Sequence, residues 1–81
     1  MNTQPVEPMQ TPSTIQLDRV VKVRYKNWRG EVAVRTIVPV EVFWGKTDWH
    51  PGEQWLLKVW DIERNAERVY AFADIQEFGV E

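Results

Sequence analysis

VVKVRYKNWRGEVAVRTIVP, Val20 to Pro39, alternates apolar and cationic residues, breaks at a polar turn, and then alternates again. In its first part Val21, Val23 and Tyr25 fall on one side of an extended chain and Lys22 and Arg24 on the other, the period of two of a half-buried strand. Lys26-Asn27-Trp28-Arg29-Gly30 supplies turn chemistry, since Asn and Gly both tolerate positive φ, and Glu31 to Val38 resumes as a β-branched strand. The expected unit is a β-hairpin, and the expected fold class is all-β.

The same pattern extends outward from the hairpin. Pro39 has no N–H for a ladder, so the chain is expected to bend there before a third strand, Val40 to Trp44, which Gly45 ends. Pro51-Gly52 punctuates a loop, and Trp55 to Asp61, WLLKVWD, reads as a fourth strand. After the IERNAE turn, Arg68 to Ala73 reads as a fifth, and ADIQEFG offers at most one helical turn, capped by Asp74. Five short strands with no convincing helix predict a small five-stranded antiparallel barrel, closed or partly closed, because an open two-layer arrangement would need a partner layer.

A chain of 81 residues holds one domain. The start MNTQPVEPMQTPS is rich in Pro, Thr and Gln and poor in large apolar residues, so residues 1–17 are expected as a disordered N-terminal tail and 18–81 as the domain. Five Trp, two Tyr and three Phe supply the bulk that a small core needs. The absence of cysteine excludes disulfides, thiolate metal sites and Cys nucleophiles. No segment has the length of a membrane span and the start lacks a signal-peptide pattern, so the expected address is cytoplasmic with no membrane partner.

Net charge is −2, but it is unevenly spread. From Arg19 to Arg35 six cations face one acid, a balance of +5, and from Thr36 onward four cations face nine acids, a balance of −5. Such asymmetry marks either a polyanion-binding face or opposite charges pairing across strands. On the first alternative Lys22, Arg24 and Lys26 share the outward face of the first strand, Arg29 and Arg35 lie nearby, and Tyr25 and Trp28 supply rings. Cations that follow phosphates, interleaved with rings that stack bases, are the means by which single-stranded nucleic acid is held.

WHPGEQWLLKVWD, Trp49 to Asp61, contains the only histidine. Asp48 and Glu53 flank His50, yet no nucleophile accompanies them and no second His or Cys completes a metal site. His50 before Pro51-Gly52 is ordinary turn chemistry. The four glycines form no phosphate cradle. A non-enzyme without metal or cofactor is therefore expected. Alternation places Trp55, Leu57 and Val59 on one face and Leu56, Lys58 and Trp60 on the other, the first being core. Trp44, Trp49 and Trp60 are the candidate anchors of a second function class, a protein-interaction or self-association module in which basic and acidic segments of two copies meet.

The order of residues resembles the WYL domain family. The triplet that names it corresponds to Trp55-Leu56-Leu57, preceded by Tyr25, Arg29-Gly30, Arg35 and Pro39, and followed by Arg68, Tyr70, Asp74 and Ile75. The resemblance spans about Val20 to Ile75 and implies a small Sm-like or Src-homology-like barrel, a regulatory module that senses ligands or binds single-stranded nucleic acid, usually joined to a helix-turn-helix domain or an enzyme and expected here to stand alone. The chain departs from the pattern where Leu56 replaces the Tyr, where the loop from Lys46 to Gln54 is long, and where no Arg follows Asp74.

Overall fold

The computed structural model describes residues 16–48 and 51–81. Residues 1–15 of the expected tail, and Trp49 and His50, lie outside the described residues. Five strands form one antiparallel sheet: β1 (Val21–Lys26), β2 (Val32–Gly45), β3 (Gln54–Asp61), β4 (Ala66–Ala71) and β5 (Ile75–Phe78), in the order β4-β3-β2-β1-β5. The expected all-β antiparallel class holds, but the sheet is not closed as a barrel, since β4 and β5 share no ladder and form its two edges.

The β1–β2 hairpin has the register Val23↔Arg35 and Tyr25↔Ala33. Its turn is organised by Asn27, whose Oδ1 accepts from the N–H groups of Arg29 and Glu31, both at 2.9 Å. Gly30 follows at φ +85°, a conformation open to glycine at little cost.

The second and third expected strands are one. β2 runs fourteen residues through Pro39, pairing with β1 up to Ile37 and with β3 from Ile37 onward. Pro39 is tolerated because the β1 ladder has already ended, and its carbonyl instead accepts from the backbone N–H of Asp18 at 3.0 Å. A register shift between Pro39 and Glu41 marks a bulge there, so the expected bend is present as an irregularity within a continuous strand.

The count of five is restored at the other end. The single helical turn is the 3-10 segment Phe72–Asp74, and the residues after it form β5, which pairs with β1 at Val23↔Phe78 and Tyr25↔Ile75. Asp74 is the last residue of that turn and so caps no N-terminus; the cap position belongs to Ala71, without a side-chain bond.

Residues paired directly across strands share a face. One face carries Val23, Tyr25, Ile37, Leu57, Val59 and Tyr70, which form the buried core. The sheet curls around this inner face. Tyr25 of β1 and Tyr70 of β4 stack with ring centroids 3.8 Å apart and planes 11° apart. Three strand spacings in a flat sheet would separate them by about 14 Å. The Tyr25 hydroxyl further accepts from the Ala71 N–H at 3.2 Å, so side chains bridge a gap that no strand ladder closes.

Candidate functional site

An open cleft of about 600 Å³ lies beside the stacked tyrosines and is lined by Tyr25, Trp28, Arg35, Asp61, Arg64, Arg68 and Tyr70, among others. Its origin lies in the different reach of neighbouring strands. The N-terminal half of β2 continues past the end of β3 at Ile37↔Asp61, so Arg35 emerges from the inner face where only the β3–β4 turn stands opposite it. That turn, Ile62–Asn65, delivers Arg64, and β4 delivers Arg68, whose partner Val59 fixes it to the same face. The whole lining contains Arg35, Lys58, Arg64 and Arg68 against Asp61 and Glu67, a balance of +2 in a protein of net charge −2.

Asp61 organises this end. It is the buried charged residue of the described chain, and its Oδ1 accepts from the Arg64 N–H at 3.1 Å while Oδ2 lies 3.7 Å from Arg64 Nε. The carboxylate thereby closes the β3–β4 hairpin and holds the base of the Arg64 side chain. Asn65 ends the turn at φ 54°, a left-handed conformation that Asn adopts more readily than most residues.

Burial, with the nearby Asp61 carboxylate adding to it and Arg35 opposing it, pushes the Tyr70 phenol up to about 12. Burial also raises Tyr25, offset in part by the bond from Ala71. Each phenolate is thus disfavoured in the folded state, so the stability this confers is present in full below pH 10 and is lost as pH rises from 10 towards about 12. These are the only two tyrosines, which makes the test simple. In an alkaline titration, phenolate absorbance is expected to stay low through pH 10 and to rise together with loss of the β-sheet circular dichroism. An ordinary titration near 10 with the sheet signal intact would contradict the buried stack.

The residues expected to bind anions fall on both faces. Tyr25 and Arg35 belong to the cleft, and Trp28 reaches it from the β1–β2 turn, with the Arg29 guanidinium 5.0 Å from its ring centroid. Lys22, Arg24 and Lys26 point to the opposite, outer face, as the alternation requires, and Arg24 is there engaged by Glu77 of β5. The candidate anchors separate too. Trp44 lies on the inner face, edge-on to Trp55 with centroids 5.4 Å apart, whereas Trp60 lies on the outer face. Leu56 shares the outer face and is nevertheless fully buried, with Phe43 and Ala71 as its ladder neighbours.

Arg64, Arg68, Asp61 and Tyr70 complete the cleft; Arg68 and Tyr70 entered the sequence reading only through the WYL resemblance, and Arg64 and Asp61 not as site residues. Among the described residues no three His, Asp or Glu side chains gather as metal ligands, and no helix is long and apolar enough to cross a membrane. No protein-family model, curated protein or solved structure matches the chain. The WYL resemblance therefore has no support beyond the residues that suggested it.

Proposed function

We propose that the chain is a small non-catalytic regulatory module that binds anionic ligands in the inner-face cleft, single-stranded nucleic acid being the class that fits best. The observation that carries this reading is the convergence of Arg35, Arg64 and Arg68 beside Tyr25, Tyr70 and the exposed ring of Trp28. Guanidinium groups offer paired donors to phosphate oxygens, and the exposed face of Trp28 accepts a base without regard to sequence, while the buried tyrosine stack forms the wall of the cleft. We further propose that the curled sheet is of the Sm-like or Src-homology-like type that the WYL resemblance implies. The strand order and the 3-10 turn before β5 support it. A cytoplasmic setting accords with the lack of cysteine.

With a sequence pI of 5.4, affinity rests on this local cluster and is modest. Three phosphate contacts correspond to a slope of log K against log salt of about −2 for a single strand. The test is a fluorescence titration of a short oligothymidylate at several salt concentrations. Arg35→Gln is expected to weaken binding about tenfold and to flatten the slope by about 0.7. Lys22→Ala with Lys26→Ala, on the opposite face, is expected to leave the slope at the cleft's value. An Arg35→Gln protein with unchanged affinity and slope would overturn the reading.

A further inference from the structure

The groups that line the cleft limit how much ligand it can hold. Of its aromatic rings, Tyr25 and Tyr70 are 7% and 5% exposed and stack on each other, whereas Trp28 is 59% exposed. Trp44 and Trp60, also exposed, are not part of the lining. The Arg29 guanidinium lies 5.0 Å from the centroid of the Trp28 ring and so takes one of its two faces. The cleft therefore offers a stacking surface to one base at most. A groove that follows a strand without regard to sequence repeats such rings, so that successive bases each find one.

The cations are equally few. Arg35, Arg64 and Arg68 line the cleft, and Lys58, also in the lining, is held between Glu41 at 3.4 Å and Glu67 at 3.5 Å. Three guanidinium groups match three phosphates. Arg35 lies opposite Val23, and the β1–β2 ladder runs three residues further to Lys26 before the turn that carries Trp28. About 10 Å of strand thus separates the ring from Arg35 and from the β3–β4 turn that faces it. A base on Trp28 and phosphates at the arginines are then as far apart as one nucleoside and its own phosphate chain reach. The cleft volume of about 600 Å³ lies in the range of pockets that enclose one small ligand.

We infer, resting on the anion-binding function proposed for the cleft, that it is a one-nucleotide site, which takes a single base on Trp28 and up to three phosphates on Arg35, Arg64 and Arg68. Asn27, beside Trp28, is committed to the turn: its Oδ1 accepts from the Arg29 and Glu31 N–H groups and its Nδ2 donates to Glu31 Oε1 at 3.1 Å. The base is accordingly held by its face and its edge goes unread. A free nucleoside triphosphate fills such a site as completely as a strand does, since the two present the same chemistry and differ only in what lies beyond the cleft.

The test is isothermal titration calorimetry of the full chain, without divalent cations, against deoxythymidine triphosphate, inorganic triphosphate, and 5′-phosphorylated thymidine tri- and nonanucleotides. Deoxythymidine triphosphate and the trinucleotide carry three phosphates each and differ by two bases, so they are expected to bind within about threefold of each other. Two further stacked bases would instead separate them by at least about 25-fold. The nonanucleotide is expected to keep a slope of log K against log salt of about −2, because its outlying phosphates meet no cation of the cleft. Trp28→Ala, in an exposed turn, is expected to weaken deoxythymidine triphosphate at least about fivefold and to leave inorganic triphosphate unchanged. Within this result, the tighter of the nucleoside triphosphate and the nonanucleotide at moderate salt names the source of the ligand. A nonanucleotide slope steeper than about −4, or a trinucleotide at least about 25-fold tighter than the triphosphate, would overturn the inference while leaving the cleft as part of a longer strand path. Deoxythymidine triphosphate that binds no better than inorganic triphosphate and ignores Trp28→Ala would overturn it in favour of an anion site without a base. No binding of any probe up to about 1 mM would overturn both the one-nucleotide site and the function on which it rests.

Discussion

Leu57→Ala is expected to lower the unfolding free energy by about 2 to 5 kcal/mol. Leu57 has no exposed surface, lies between Val42 and Tyr70 in the ladder, and belongs to the cluster with Val23, Tyr25, Ile37 and Val59. Truncation removes the transfer free energy of the lost methyl groups and leaves a cavity. The sheet cannot collapse freely into that cavity, because the Tyr25–Tyr70 stack spans the curled face beside it. A domain of this size is stable by only about 3 to 10 kcal/mol, so the variant loses a large share of its stability. Urea unfolding followed by tryptophan fluorescence checks it, and Val34→Ala, on the exposed outer face, serves as the contrast with an expected loss below about 1 kcal/mol. A Leu57→Ala loss as small as that of Val34→Ala would mean that β3 presents its other face to the core.

That face was legible from the sequence because the alternation in β1 is strict and in β3 Lys58 between Leu57 and Val59 sets the phase, so each strand needs only its own residues to show it. Val23 and Tyr25 are buried, and Lys22 and Lys26 are exposed, as the period of two requires. What depends on distant partners was not legible. Pro39 reads locally as a break, yet the chain passes through it as one strand because β1 has stopped pairing by then. The four residues of β5 show too little alternation to announce a strand, and their ladder is with β1, some fifty residues earlier. Leu56 follows the outward phase and is buried all the same, since Phe43 and Ala71 flank it from neighbouring strands.

The cleft divides in the same way. Arg35, Tyr25 and Trp28 stand out in the basic half of the sequence. Arg64 and Arg68 lie in the acidic half, where a local charge count hides them. Only the curl of the sheet, which sets β4 against β1, brings the two groups together. Charge summed along the chain therefore located half of the site, and the hairpin that presents the other half was read as two strands and a turn, with Arg68 and Tyr70 noted only as part of the WYL resemblance.

Asp61→Ala is expected to have opposite effects on stability and on binding. The carboxylate is 2% exposed, and its loss leaves the Arg64 N–H of the tight turn without its acceptor, at a cost of about 1 to 3 kcal/mol. The cost stays below that of breaking a fully buried ion pair, because the Arg64 side chain is about half exposed and turns to water when its partner is gone. Asp61→Asn, which keeps an oxygen for the Arg64 N–H, is expected to recover more than half of the loss. Both variants remove a negative charge from among Arg35, Arg64 and Arg68, so the field at the cleft becomes more positive and an anionic oligonucleotide should bind a few-fold more tightly to Asp61→Asn than to the wild type. Urea unfolding and the salt-dependent titration, run on the same three proteins, separate the two roles. If Asp61→Asn binds more weakly than the wild type while its stability is largely restored, the carboxylate contacts the ligand itself, and the cleft recognises donors as well as phosphates.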